Sequence, residues 1–91
     1  MHKEKIQVIN KTGLHARSAS KLVKKANQYK SNIFLSFAGR EADTKSILGV
    51  MSLGVEQGDN IVLKIDGEDE TRAARDLKNF FKYDIGNGEQ M

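Results

Sequence analysis

The chain has 91 residues, 38% of them hydrophobic and 30% charged, with no cysteine, no proline and a formal net charge of +3. That length and balance fit one globular domain with a single modest core; without cysteine there is no disulfide framework, thiolate metal site or cysteine nucleophile. No apolar run approaches the ~18 residues of a membrane-spanning helix, and the charged opening Met1-His2-Lys3-Glu4-Lys5 lacks a secretory signal's apolar stretch, so a cytoplasmic address is the default expectation.

Lys5-Ile6-Gln7-Val8-Ile9 alternates polar and apolar residues and predicts a half-buried strand over 5–9, preceded by a flexible terminus that includes His2. Asn10-Lys11-Thr12-Gly13 is a loop. Residues 16–28 then take helical period, with Ala16, Ala19, Leu22, Val23 and Ala26 on one apolar stripe. A strand over 32–37 follows, its Ile33, Leu35 and Phe37 on one face, and Ala38-Gly39 turns the chain into a short polar edge strand over 40–43. Ser46 is a good helix cap and Gly54 a good helix stop, so 47–53 reads as a two-turn helix. Beyond the turn at Gln57-Gly58-Asp59, Ile61, Leu63 and Ile65 alternate along a strand over 60–65. Ala73, Ala74, Leu77, Phe80 and Phe81 mark an amphipathic helix over 69–81, with Glu68-Asp69-Glu70 placed to complement its dipole. Residues 83–91 have little to bury and read as a flexible tail after a domain over 1–82.

The element order is therefore β-α-β-β-α-β-α. Strands apolar on one face need that face covered, so the expected class is α+β: a two-layer sandwich whose mostly antiparallel sheet carries its helices on one side.

His15 follows Gly13-Leu14 and directly precedes the first helix. At an N-cap its imidazole would lie beside backbone N–H groups that lack helical partners, a ready site for a phosphate-sized anion. Arg17 in the first turn adds a charge, and Arg17, Lys21 and Lys24 form one basic stripe. A neutral imidazole is a competent nucleophile toward phosphorus, and the N–P bond formed is more labile than a serine phosphate ester. On these residues alone His15 is either such an acceptor or a solvated cap.

The segment 47–53 carries two apolar clusters, Val50 with Leu53 and Ile47 with Leu48 and Met51, about 140° apart at the ~100° per residue of a helix. Either both sink into the core, or one faces solvent as a docking patch with an adaptable methionine. Ser46 is first a structural cap. A phosphate placed on it would be favoured by the helix dipole and would add negative charge beside the patch.

Together, Thr12-Gly13-Leu14-His15-Ala16-Arg17 and Lys45-Ser46-Ile47-Leu48-Gly49-Val50-Met51-Ser52-Leu53-Gly54 resemble the histidine-containing phosphocarrier (HPr) family of the bacterial phosphoenolpyruvate-dependent sugar phosphotransferase system, over about residues 4 to 82. The resemblance implies an open-faced sandwich with sheet order 1-4-2-3. It implies a carrier rather than an enzyme, with no cofactor or metal, phosphorylated on Nδ1 of His15 by phosphorylated enzyme I and discharged to sugar-specific IIA components. Arg17 would attend the phosphate, with Thr12, Ala16 and Ser18 as neighbours. Ser46 would be the site of an ATP-dependent HPr kinase/phosphorylase. Ser20, Lys21, Lys24, Ile47, Leu48 and Met51 would form the docking surface of what is expected to be a monomer. The family usually has proline where this chain has Ser18, which implies a less rigid turn and a second hydroxyl near the phosphate.

Two other readings have distinct signatures. One is a mainly regulatory relative, phosphorylated at Ser46 and acting as corepressor with a catabolite-control transcription factor; the relatives of that kind typically lack the histidine that is present here. The other is a nucleic-acid binder, since residues 1–45 hold ten Lys/Arg against three Asp/Glu, and residues 46–91 five against nine. The six aromatics follow core and strand patterns rather than interleaving with the basic residues, so neither nucleic acid nor membrane is expected as a partner.

Overall fold

The computed structural model describes residues 1–87. Its strands are β1 (His2–Gln7), β2 (Asn32–Phe37), β3 (Arg40–Asp43) and β4 (Asn60–Asp66); its helices are α1 (Ala16–Ala26), α2 (Ile47–Ser52) and α3 (Glu70–Asn79). All strand pairs are antiparallel and the sheet order is β1-β4-β2-β3, as expected.

The register explains why one face became the core. Ile6 lies opposite Ile61 across β1 and β4, and Ile33 and Leu35 lie opposite Ile65 and Leu63 across β2 and β4. These inward residues meet Ala19, Leu22 and Ala26 of α1 and Ala73 and Leu77 of α3 in one buried cluster. Each fully buried Leu or Ile contributes about 1.5–3 kcal/mol relative to exposure. The other face is open to solvent, and there the Lys64 ammonium pairs with Glu41 at 2.8 Å. Between β2 and β3 the turn has positive φ at both Ala38 (52°) and Gly39 (78°), the geometry that a two-residue hairpin needs to follow the strand twist.

Several boundaries differ from expectation for identifiable reasons. β1 begins at His2 rather than residue 5, because β4 extends far enough to pair His2 with Ile65. It ends at Gln7; Val8 stays buried through bonds to Asp59 and Gly58, while Ile9 falls on the solvent side. α1 stops at Ala26 rather than 28, where the Asn27 side chain donates to the Val23 carbonyl at 2.8 Å. Tyr29 then turns into the core and donates its hydroxyl to Asp76 at 2.7 Å.

The acidic cluster before α3 serves more than the helix dipole. Asp69 turns its carboxylate to the N–H groups of Lys30 and Ser31 and to the Ser31 hydroxyl, and only Glu70 lies in the first turn. The helix expected over 69–81 ends at Asn79 and continues as a π-helical turn over Phe80–Asp84. Ile85, expected in a tail with little to bury, is 1% exposed and donates its N–H to the Phe80 carbonyl. Ile85 thus anchors this stretch to the domain while Tyr83, Asp84 and Asn87 stay exposed; 88–91, the rest of the expected tail, lie outside the described residues.

Candidate functional site

The loop before α1 is a closed unit. The Gly13 N–H donates to the Asn10 carbonyl, and the buried Asn10 side chain donates back to the Gly13 carbonyl at 2.8 Å. Gly13 has φ 60°, and a Cβ there would strike the Val55 carbonyl oxygen and the Glu56 Cα. Only glycine permits that approach. The adjoining Leu14 is buried and donates its N–H to Val55 at 3.0 Å, joining this loop to the one before β4.

His15 is the N-cap of α1, in extended conformation (φ −103°, ψ −169°). Its side chain is 55% exposed, so the imidazole stands in solvent over the helix start. Such a group is sterically open to an incoming oxyanion. Ala16 and Arg17 are the first two residues of α1, and both are exposed, as is Thr12 in the preceding turn.

Ser18 does not follow the expectation of a looser turn with a hydroxyl toward the phosphate. It is 1% exposed. Its Oγ donates to the Gly13 carbonyl at 2.6 Å and accepts the His15 N–H at 3.1 Å, which makes it the return half of a capping box. The hydroxyl points into the loop and holds the backbone of the histidine.

Further along α1, Ser20 is half-buried and Lys24 exposed. Lys21 is half-buried, and its ammonium donates to the carbonyls of Asp84, Ile85 and Asn87 at 2.8, 3.1 and 3.0 Å. That cation fastens the end of the described chain and is less available to a partner than the sequence suggested.

Ser46 caps α2: its exposed Oγ accepts the Gly49 N–H at 3.1 Å. The two apolar clusters separate. Val50 and Leu53 are buried, whereas Ile47, Leu48 and Met51 are 43%, 82% and 37% exposed, so one cluster joins the core and the other faces solvent. Arg40 steadies the far end of the helix by donating to the Ser52 and Leu53 carbonyls at 3.0 Å.

Sequence reasoning missed Glu56. Both of its carboxylate oxygens lie 3.2 Å from the His15 Nε2, although the residues are 41 positions apart. No periodicity or local motif marks an exposed glutamate in a loop; the close approach at Gly13 creates the pairing.

Comparison with known proteins gives a consistent result. Residues 2–83 match the family described as "PTS HPr component phosphorylation site". The chain is 46% identical over 82 residues to the phosphocarrier protein HPr of Xylella fastidiosa, covering 90% of this chain and 92% of that one. It superposes with a TM-score of 0.91 on the crystal structure of HPr-C-His from Thermoanaerobacter tengcongensis, at 38% identity over 96% of this chain and 98% of the other. It is also similar to the Bacillus subtilis catabolite repression protein Crh, described in crystals as a dimer with a swapped domain: TM-score 0.73, 40% identity, 90% of this chain and 94% of that one.

Proposed function

The chain belongs to the HPr family of phosphocarriers, and from that premise we propose that it holds a phosphoryl group on Nδ1 of His15, received from phosphorylated enzyme I and passed to sugar-specific IIA components. The observation that carries this reading is the solvent-exposed imidazole at the N-cap of α1, with its backbone fixed by the buried Ser18. The Nδ1 lone pair attacks phosphorus, the bond from phosphorus to the donor breaks, and its electron pair leaves with the donor. The same sequence in reverse discharges the group to the acceptor. Arg17 supplies positive charge to the phosphoryl oxygens, with Thr12 and Ala16 at the rim. Ile47, Leu48 and Met51, with Ser20 and Lys24, receive the partners; Lys21 contributes its charge only by leaving three carbonyls.

Incubation with phosphoenolpyruvate and enzyme I tests the reading. The expected product is an acid-labile, base-stable adduct that is absent from a folded His15→Ala variant. No adduct, or an adduct on His15→Ala, overturns it.

A regulatory role at Ser46 is the second reading, supported by the similarity to Crh and by the exposed Ser46 hydroxyl. Labelling of Ser46 by an ATP-dependent HPr kinase/phosphorylase, in a chain that enzyme I leaves unlabelled, would favour it and a catabolite-control transcription factor as partner. A monomer suits exchange between successive partners; a sedimentation mass of two chains would instead align this protein with the swapped dimer.

A further inference from the structure

We propose that Glu56 is a positioning residue for His15: its carboxylate accepts the Nε2–H and so leaves the Nδ1 lone pair as the ring's nucleophile. The inference rests on His15 being the phosphoryl acceptor and assigns the group that orients it. A neutral imidazole carries one proton, and the nitrogen that holds it cannot attack. An ionised carboxylate only accepts hydrogen bonds, so a partner of this kind at Nε2 selects the tautomer protonated there. Both Glu56 oxygens lie 3.2 Å from Nε2, so the carboxylate faces that nitrogen squarely.

The loop that carries Glu56 is built to hold it. The Val55 carbonyl accepts the Leu14 N–H, the Glu56 N–H donates to the Asp59 carboxylate at 2.8 Å, and the Asp59 N–H returns to the Glu56 carbonyl at 3.1 Å. Gly58 and Asp59 in turn bond to Val8 at the end of β1. The glutamate backbone is therefore fixed on both sides, and Gly13 lets the histidine loop lie against it.

This arrangement has a consequence for transfer. As Nδ1 bonds to phosphorus and the donor departs with its electron pair, positive charge develops on the ring while Nε2 keeps its proton. The Glu56 anion faces that charge. On discharge the N–P electron pair returns to Nδ1, and no proton has to move in either direction. His15 and Glu56 are 55% and 61% exposed, so solvent screens the pairing and its effect is modest.

The test compares the full chain with Glu56→Ala and Glu56→Gln. Imidazole ¹⁵N shifts are measured about two pH units above the ordinary histidine value of ~6.5, together with the kinetics of phosphorylation by enzyme I and phosphoenolpyruvate. The native ring is expected almost wholly as the Nε2–H tautomer. Glu56→Ala shifts the population toward Nδ1–H and lowers kcat about two- to fivefold with KM unchanged. Glu56→Gln keeps an accepting oxygen without the charge, and so restores the tautomer but not the full rate. Unchanged shifts in Glu56→Ala, or an unchanged kcat, overturn the proposal; a raised KM with kcat intact overturns it too, by making Glu56 a docking contact. If enzyme I labels neither native nor variant chains, the phosphocarrier reading of His15 fails, while the ¹⁵N shifts still decide whether Glu56 sets the tautomer.

Discussion

The Ser18 hydroxyl donates to the Gly13 carbonyl at 2.6 Å, spanning the loop that presents His15. The same oxygen accepts the His15 N–H, so one buried atom ties together the turn, the histidine backbone and the first turn of α1. Ser18→Ala removes that acceptor in a site closed to water, and the loss is expected to be about 1–2 kcal/mol. It should lower the urea midpoint with an unchanged slope. A midpoint equal to that of the native chain would show that the hydroxyl is incidental.

Lys21 is the counterpart at the other end of the described chain. Its ammonium gathers the carbonyl of Asp84, the last residue of the π-helical turn, and those of Ile85 and Asn87 just past it. Lys21→Met keeps most of the apolar stem and removes the donors. The Ile85 and Asn87 amides should then exchange faster with solvent, while the central β4 amides keep their protection, the mark of local opening. Equal acceleration in β4 would mean that Lys21 supports the whole fold.

What was legible in the sequence was what repeats. The alternation of Ile61, Leu63 and Ile65, and the helical spacing of Ala73, Ala74, Leu77, Phe80 and Phe81, each placed an element and its buried face. His15 and Ser46 were legible because a cap is a local feature, readable from the residues on either side. Glu56, Tyr29 and Ile85 were not. Each owes its role to a residue more than forty positions away or to a chain reversal with no periodic signal: Glu56 to the approach at Gly13, Tyr29 to Asp76, and Ile85 to the turn after α3. The hydroxyl of Ser18 was foreseen, but not its inward direction, which depends on where the Gly13 carbonyl lies.

Asp69 gives the fold an acid-sensitive contact. The Ser31 hydroxyl and the Lys30 and Ser31 N–H groups donate to its carboxylate and hold its pKa down at about 2, from an ordinary 3.8. A depressed carboxylate stabilises the fold above its unfolded value, and that stabilisation is lost as pH falls from about 4 through about 2. Asp69→Asn should therefore be less stable than the native chain near neutrality, with the difference shrinking across that window. Urea midpoints measured from pH 6 down to pH 2 check this; a constant gap would remove the linkage.

Ser46 allows the effect of charge to be separated from that of capping. Aspartate is as good an N-cap as serine, so Ser46→Asp should leave the melting temperature nearly unchanged. It places a negative charge beside Ile47, Leu48 and Met51, and if an acidic surface of enzyme I docks there, affinity falls about two- to fivefold. Ser46→Ala does the reverse. It removes the acceptor of the Gly49 N–H, costs about 1 kcal/mol of stability, and leaves affinity intact. Raising the salt to about 1 M shortens the screening length to ~3 Å, and the Ser46→Asp deficit should largely vanish. A deficit that persists at high salt would locate the cause in altered packing of α2 rather than in its charge.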